Sequence, residues 1–423
     1  MRKLYDPYAK FAKNRLSSGS KVYYLENDLP WVTLLFCIHA GAINDPIGKE
    51  GLAHFVEHLL GHNIPVPMSL TKDQFRELAE KEGGDINFGR TSYFSTAYSF
   101  KLPLQKRLIK KVINVFGGMI LEANIANQIE EQRQIITLEF LESYGTEIGM
   151  EVAELWQNNL YADYWLKRFY SPFGRKETIE SIGKDDLQLF YAKHYRPANI
   201  SIIGAGGLAF DQLIRYLEKS LFGKSKAGQM NQLLKPTIEP PLPAENFHVI
   251  KASRFSKAKW HKGVYESRAL LPGSLNQNVM ALLYHMIYEK LHQNLRVKSG
   301  WVYSVSPGWF FLQDVYEFKI EANVSVDSLK DHQIHALINS SLEEVLDPVF
   351  FEYQKKKLIG SCYLADQPVG NIVDSVWHDL EQRQKIITRG KSVAELRKIN
   401  LADIKTALRF LRSERRMTIL LTP

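Results

Sequence analysis

The sequence predicts an α+β fold of two related domains, each a mostly antiparallel sheet covered by helices. Three observations carry this expectation. At 423 residues, 45% of them hydrophobic, the chain exceeds one ordinary core and suits about two to three domains. Between Gly223 and Glu245 it turns polar and then proline-rich, ending in Lys235-Pro236-Thr237-Ile238-Glu239-Pro240-Pro241-Leu242-Pro243, as a semi-extended linker does. Beyond that stretch the order of strand-like and helical runs restarts, as a duplicated unit of about two hundred residues would. The expected division is 1–223, a linker at 224–245, and 246–423.

Taken in order, the chain opens with strand-like runs at Lys21–Leu25 and Trp31–His39 around the turn cluster Glu26-Asn27-Asp28-Leu29-Pro30, which reads as a buried hairpin. A turn at Gly41–Gly51 then feeds Leu52-Ala53-His54-Phe55-Val56-Glu57-His58-Leu59-Leu60-Gly61. On a helix, His54 and His58 stand one turn apart on one face, the spacing two imidazoles need to share a metal ion. Glu57 sits beside them, placed to take a proton from water rather than to bind the ion. The stretch therefore reads as the inverted zinc-peptidase motif HxxEH, against the plainer alternative of a core helix that carries two histidines. Gly61, Pro65 and Pro67 mark the helix end, which puts His62 in a loop.

Thr71 with Gln74 forms a capping-box pattern for the next helix, which Gly83-Gly84 stops. Asp85–Thr91 and Tyr93–Phe100 read as strands, Leu104–Leu121 and Asn127–Tyr144 as helices. A helix at Lys184–His194 and a strand at Ile200–Gly204 close the first half. The Gly204-Ala205-Gly206-Gly207 run lacks the Lys-Ser/Thr ending of a phosphate loop, so no nucleotide site is expected there.

In the second half, strands are expected at Phe247–Ile250, Gly263–Glu266, Trp301–Ser306, Val315–Val324 and Met417–Leu421. Helices are expected at Leu275–Leu295, Ser328–Leu346, Pro348–Tyr363, Val369–Ile387 and Ser392–Leu411. This half carries no HxxEH.

Net charge is +8, but Lys and Arg are spread along the chain rather than massed, so nucleic acid binding is not expected. No apolar run is long enough for a membrane span, and Met1–Leu16 is basic and polar, which gives the expectation of a soluble cytoplasmic protein. Cys37 and Cys362 form neither a disulfide framework nor a zinc cluster and read as small hydrophobes.

HxxEH at 54–58 followed by Gln132-Arg133-Gln134-Ile135-Ile136-Thr137-Leu138-Glu139 resembles the pitrilysin/insulysin peptidase family, especially its mitochondrial-processing-peptidase-like subgroup of short chains. That resemblance implies Zn²⁺ and a third ligand at Glu139. Zinc chemistry independently asks for a third protein ligand and an open fourth position, and Glu142, one turn further on, competes by spacing alone. Gln132 stands where the family usually has another glutamate, and the span from His58 to Glu139 is longer, which the loop 63–70 would absorb.

The resemblance continues through Tyr170-Ser171-Pro172-Phe173-Gly174 and Tyr195-Arg196-Pro197-Ala198-Asn199. It further implies that Arg296 and Tyr303 donate to the oxyanion of an attacked carbonyl, and that Asn87 and Phe88 lie on a substrate-binding edge strand. A chain of this size is half of a clamshell. It is expected to pair as a homodimer or heterodimer with a second family member and to cleave extended peptides in the enclosed chamber. The alternative within the same family is a non-catalytic or weakly active partner subunit that serves as a peptide-binding scaffold.

Overall fold

A computed structural model describes residues 4–62, 71–144, 147–169, 171–251, 263–324, 331–364 and 368–422. The loop 63–70 and Tyr170 lie outside them.

The first sheet is built from β1 (Ala12–Arg15), β2 (Lys21–Glu26), β3 (Trp31–Ile38), β4 (Asp85–Thr91), β5 (Thr96–Pro103) and β6 (Ile200–Gly206), in the order β1-β2-β6-β3-β5-β4. The second takes β7 (Phe247–Lys251), β8 (Gly263–Pro272), β9 (Val302–Phe311), β10 (Val315–Val324) and β11 (Arg416–Thr422), in the order β7-β11-β8-β10-β9. With β1 set aside, both sheets place their strands first-fifth-second-fourth-third. In each, the first and fifth strands pair in parallel and every other pair is antiparallel. The two units thus share one topology, as the restarting element order implied.

The expected β2–β3 hairpin does not form, because β6 lies between the two strands. Every residue of β6 is buried, and a strand apolar on both faces gains most at the centre of a sheet. Its glycines serve packing: a Cβ on Gly204 would lie 2.3 Å from Leu34 Cδ2. Three other expectations shift. β5 begins at Thr96, since Ser92–Ser95 form the turn after β4, where Ser92 N donates to Ser95 O at 2.8 Å. The helical stretch 392–411 breaks at Asn400, whose side chain caps Leu401–Leu408 by accepting from Ala402 N and Asp403 N. The long helix after β8 runs Gln277–Leu291 and then widens into a π-turn over His292–Lys298.

In the first unit, helix α1 (Leu52–His62), α2 (Lys72–Glu80), α3 (Lys106–Leu121) and α4 (Ile129–Tyr144) lie over one face of the sheet and share its core. α2 carries the expected box, with Thr71 Oγ1 accepting from Gln74 N and Gln74 Oε1 from Thr71 N. α1 continues through Gly61, so His62 is its last residue rather than a loop residue. A glycine inside a helix costs about 1 kcal/mol. Lys72 and Phe88 lie beside it, each 3.6 Å from where a Cβ would stand, an ordinary contact distance.

Each sheet's other face is covered by the opposite half of the chain. The helix Val369–Arg383 lies across the first sheet, packing Val373, Val376, Trp377 and Leu380 on Leu25, Leu35, Ile203 and Ala205. Reciprocally, Trp156, Leu160, Tyr161 and Leu166 pack on Leu270, Val315, Met417 and Ile419 of the second. Residues 225–246 form no helix or strand, yet they are bonded to both units: Asn231 Nδ2 donates to His39 O at 2.6 Å, Leu234 N to Gln313 Oε1 at 3.0 Å. Among the described residues no helix is long and apolar enough to cross a membrane. Cys37 is buried and Cys362 half-buried, and both are free thiols.

Candidate metal centre

α1 is aimed by its first turn. The buried Asp45 carboxylate accepts from Gly51 N at 2.8 Å and Ala53 N at 2.9 Å, satisfying two of the amides that a helix N-terminus leaves open. Gly51, at φ +100°, lies against the Phe173 carbonyl, where a Cβ would stand 2.5 Å from the oxygen. No other residue type fits that approach.

The one-turn spacing brings His54 Nε2 and His58 Nε2 to 3.0 Å, and α4 delivers Glu139 Oε2 to 3.5 Å from each. Donors about 2.0–2.1 Å from a tetrahedral ion lie about 3.3 Å apart, so this triangle fits zinc. Among the described residues it is the group of histidine, cysteine and carboxylate side chains that meets that test. Glu142 is exposed and outside it.

The protonation states agree. Burial, then His58, pulls His54 down to about 3, leaving a neutral imidazole. Gln132 Oε1 lies 3.3 Å from His58 Nδ1. An amide oxygen only accepts, so Nδ1 carries a proton and Nε2 is the nitrogen that would bind an ion; with no ion bound, Nε2 donates to Glu139. Burial also pulls His58 down, but its hydrogen bond to Glu139 and the charges of Glu57 and Glu139 more than offset this, so the spot attracts positive charge. The hydrogen bond from His58 holds Glu139 below the usual carboxylate range. Glu139 is 42% exposed, which leaves the triangle open on one side.

Glu57 stands beside the triangle, with Oε2 4.0 Å from His54 Nε2 and accepting from Thr91 Oγ1 at 3.0 Å. Burial pushes its carboxyl up to about 7, against the lowering pull of His58 and Thr91. β4 crosses directly over it. A Cβ on Gly89 would sit 2.2 Å from Glu57 Oε1, and the strand bulges between Asn87 and Arg90 at this crossing.

The remaining candidate residues divide. β4 is the edge of its sheet, as expected for Asn87 and Phe88. Asn87 Oδ1 accepts from Gly89 N at 3.0 Å, and the Phe88 ring is buried against Phe75. Arg296 and Tyr303 are brought to each other in the second unit, with the guanidinium carbon 5.8 Å from the ring centre. Among the described residues no hydrogen bond or ion pair joins either to His54, Glu57, His58 or Glu139.

Sequence reasoning missed Thr91 and Gly89. A glycine inside a strand pattern was the available signal, since it marks close approach of another group. Gln132, where the family usually has a glutamate, sets its amide oxygen beside His58 Nδ1.

Residues 22–168 match the family model described as insulinase (peptidase family M16), and residues 181–349 the model described as peptidase M16 inactive domain. The chain belongs to peptidase family M16. His54, Glu57, His58 and Glu139 all fall within the first of these matches. M16 relatives include mitochondrial-processing peptidase subunit beta of Caenorhabditis elegans, 28% identical over 207 residues, 48% of this chain and 43% of that one. The probable zinc protease PqqL of Escherichia coli is 25% identical over 220 residues, 50% of this chain and 23% of that one. The chain thus matches less than half the length of these curated relatives. The same fold occurs in the crystal structure of the periplasmic protease PqqL from E. coli, with a TM-score of 0.80 at 15% identity, over 99% of this chain and 48% of that one. A putative M16-like peptidase from Alicyclobacillus acidocaldarius gives 0.79 at 17% identity, over 100% of this chain and 99% of that one.

Proposed function

We propose that this M16 chain is a zinc-dependent endopeptidase that cleaves extended peptides or unfolded polypeptide segments. The observation that carries the proposal is the triangle of His54, His58 and Glu139, open on one side, with the buried carboxyl of Glu57 beside it. His54, His58 and Glu139 would hold the ion. Zinc, when bound, supplies a Lewis acid that polarises a peptide carbonyl and makes water acidic near neutral pH. Glu57 takes the proton of the attacking water and passes it to the leaving amine. Thr91 and Gly89 hold its carboxylate in place from β4.

The substrate adds a strand along the edge of β4. Backbone pairing there tolerates many sequences, and the bulge after Asn87 turns the chain toward Glu57. Arg296 and Tyr303 donate to the carbonyl oxygen as it becomes negative, either in this chain's own site or in that of a partner that completes the chamber. The partner is a second copy or another family member, and the chain divides functionally at 224–245.

The test is the zinc content of the purified chain and its cleavage of an unfolded polypeptide, alone and after mixing with candidate partner chains. Stoichiometric zinc with cleavage supports the proposal; zinc without cleavage under every condition leaves the scaffold role instead.

Two further outcomes follow from the geometry. Gln132→Ala removes the acceptor that orients His58, and zinc affinity is expected to fall about 10–100-fold in a chelator competition. Gly89→Ala drives a methyl group into the Glu57 carboxylate. Cleavage is expected to fall about a hundredfold while zinc stays stoichiometric, because the displaced group lies outside the ligand set.

A further inference from the structure

We infer that Lys72 and Arg76 make this site select peptides with an acidic side chain next to the bond that is cut, a preference that rests on the peptidase reading above. Both residues belong to α2, which packs along the edge strand β4. Lys72 Nζ stands 5.3 Å from the centre of the Phe88 ring, and Arg76 Cζ stands 5.3 Å from the same ring. The next residue, Gly89, is the one in contact with Glu57. Two cations therefore flank the strand at Phe88, one residue before the glycine that touches the proposed base.

Lys72 is half-buried, and its stem lies over Gly61. Among the described residues no acceptor or carboxylate lies within bonding distance of its ammonium. The ring face offsets part of that cost, about 0.5–1 kcal/mol at an exposed site. Among the described residues the ion pair of Arg76 is the i,i+3 contact with Asp73 at 3.3 Å, and the Asp73 side chain is 88% exposed, a pairing that water screens.

Lys72 does not serve its helix. Lys72 occupies the first turn of α2, where the helix dipole favours negative charge. Arg90, the cation of β4 itself, is engaged by Asp374 at 3.4 Å and by the Trp377 ring at 4.0 Å. Of the groups facing Lys72, Glu57, Asp73 and Glu139 carry the opposing charge and Arg76 the same charge. A divalent ion in the triangle would balance Glu57 and Glu139, and Asp73 offsets its partner Arg76, which leaves Lys72 as the excess. An incoming carboxylate then gains a charge-assisted hydrogen bond that an amide or an ammonium does not.

The experiment uses one unfolded peptide scaffold carrying Glu, Gln or Lys at each position flanking the cleaved bond. With zinc-loaded wild type, kcat/KM at one flanking position is expected to be about tenfold higher for Glu than for Gln, and lowest for Lys. Lys72→Gln is expected to bring the Glu-to-Gln ratio towards one, Lys72→Glu to invert it, and Lys72→Arg to retain it. Binding of the same labelled peptides to Glu57→Gln, with and without Lys72→Gln, is read by fluorescence anisotropy and needs no turnover. Absence of cleavage by wild type with the affinity ratio intact removes the peptidase reading and keeps the site. A ratio that Lys72→Gln leaves unchanged, in binding and in cleavage, overturns the proposal.

Discussion

Replacing Glu57 by glutamine is expected to lower kcat/KM for peptide cleavage by about 10²–10⁴ while zinc stays bound. Glutamine keeps the shape and accepts the hydroxyl of Thr91, so the packing under Gly89 survives. It has no basic oxygen to take a proton. Steady-state kinetics on one peptide, paired with zinc analysis of the same samples, separates loss of the base from loss of the metal. Cleavage at the wild-type rate would remove Glu57 from the mechanism.

The same variant has a pH signature in metal-free protein. Burial raises the folded-state pKa of Glu57 from 4.5 to about 7, so its charge is disfavoured in the fold. Native Glu57 therefore costs stability that is absent below about 4.5, grows as pH rises and levels off above about 7. Glutamine carries no such cost. The Tm of Glu57→Gln is expected to exceed that of wild type at pH 8 and to match it near pH 4.5, and zinc, which favours the carboxylate, should shrink the difference.

The second large effect is on the metal itself. His58→Ala is expected to lose zinc by more than the roughly 10–100-fold of Gln132→Ala, because it removes a donor rather than the group that orients one. His54→Ala should behave alike, since the two nitrogens lie 3.0 Å apart and share one position. Glu142→Ala is the control: its carboxylate lies outside the triangle, and zinc should be unchanged. Full zinc occupancy in His58→Ala would show that the ligand set is wrong.

Residues differ in how far the sequence betrays them. His54, Glu57 and His58 were legible because a helix converts a spacing of four into one shared face, whatever surrounds it. The capping box at Thr71 and the linker at 224–245 were legible for the same reason, since turn chemistry is local. Arg296 and Tyr303 were found as a pair by resemblance, and the structure does bring the two together. The hairpin at 21–39 was misread because strand patterns state that a strand is buried, not which strand lies beside it. The contact of Gln132 with His58 was not legible, because it joins two helices far apart in the chain. Lys72 carried no signal at all. A lysine at the start of a helix is ordinary until Phe88 and Glu57 are found next to it.

By itself the sequence determined the α+β class, the restart of the element order, and the helix that presents two imidazoles and a carboxylate in one direction. Only the tertiary structure set Glu139 rather than Glu142 beside the two histidines, gave Gln132 its place behind His58, and laid Gly89 over Glu57. The reason is distance along the chain. His58 and Gln132 are 74 residues apart, and their meeting depends on how α1 and α4 pack on one sheet, which no local spacing encodes.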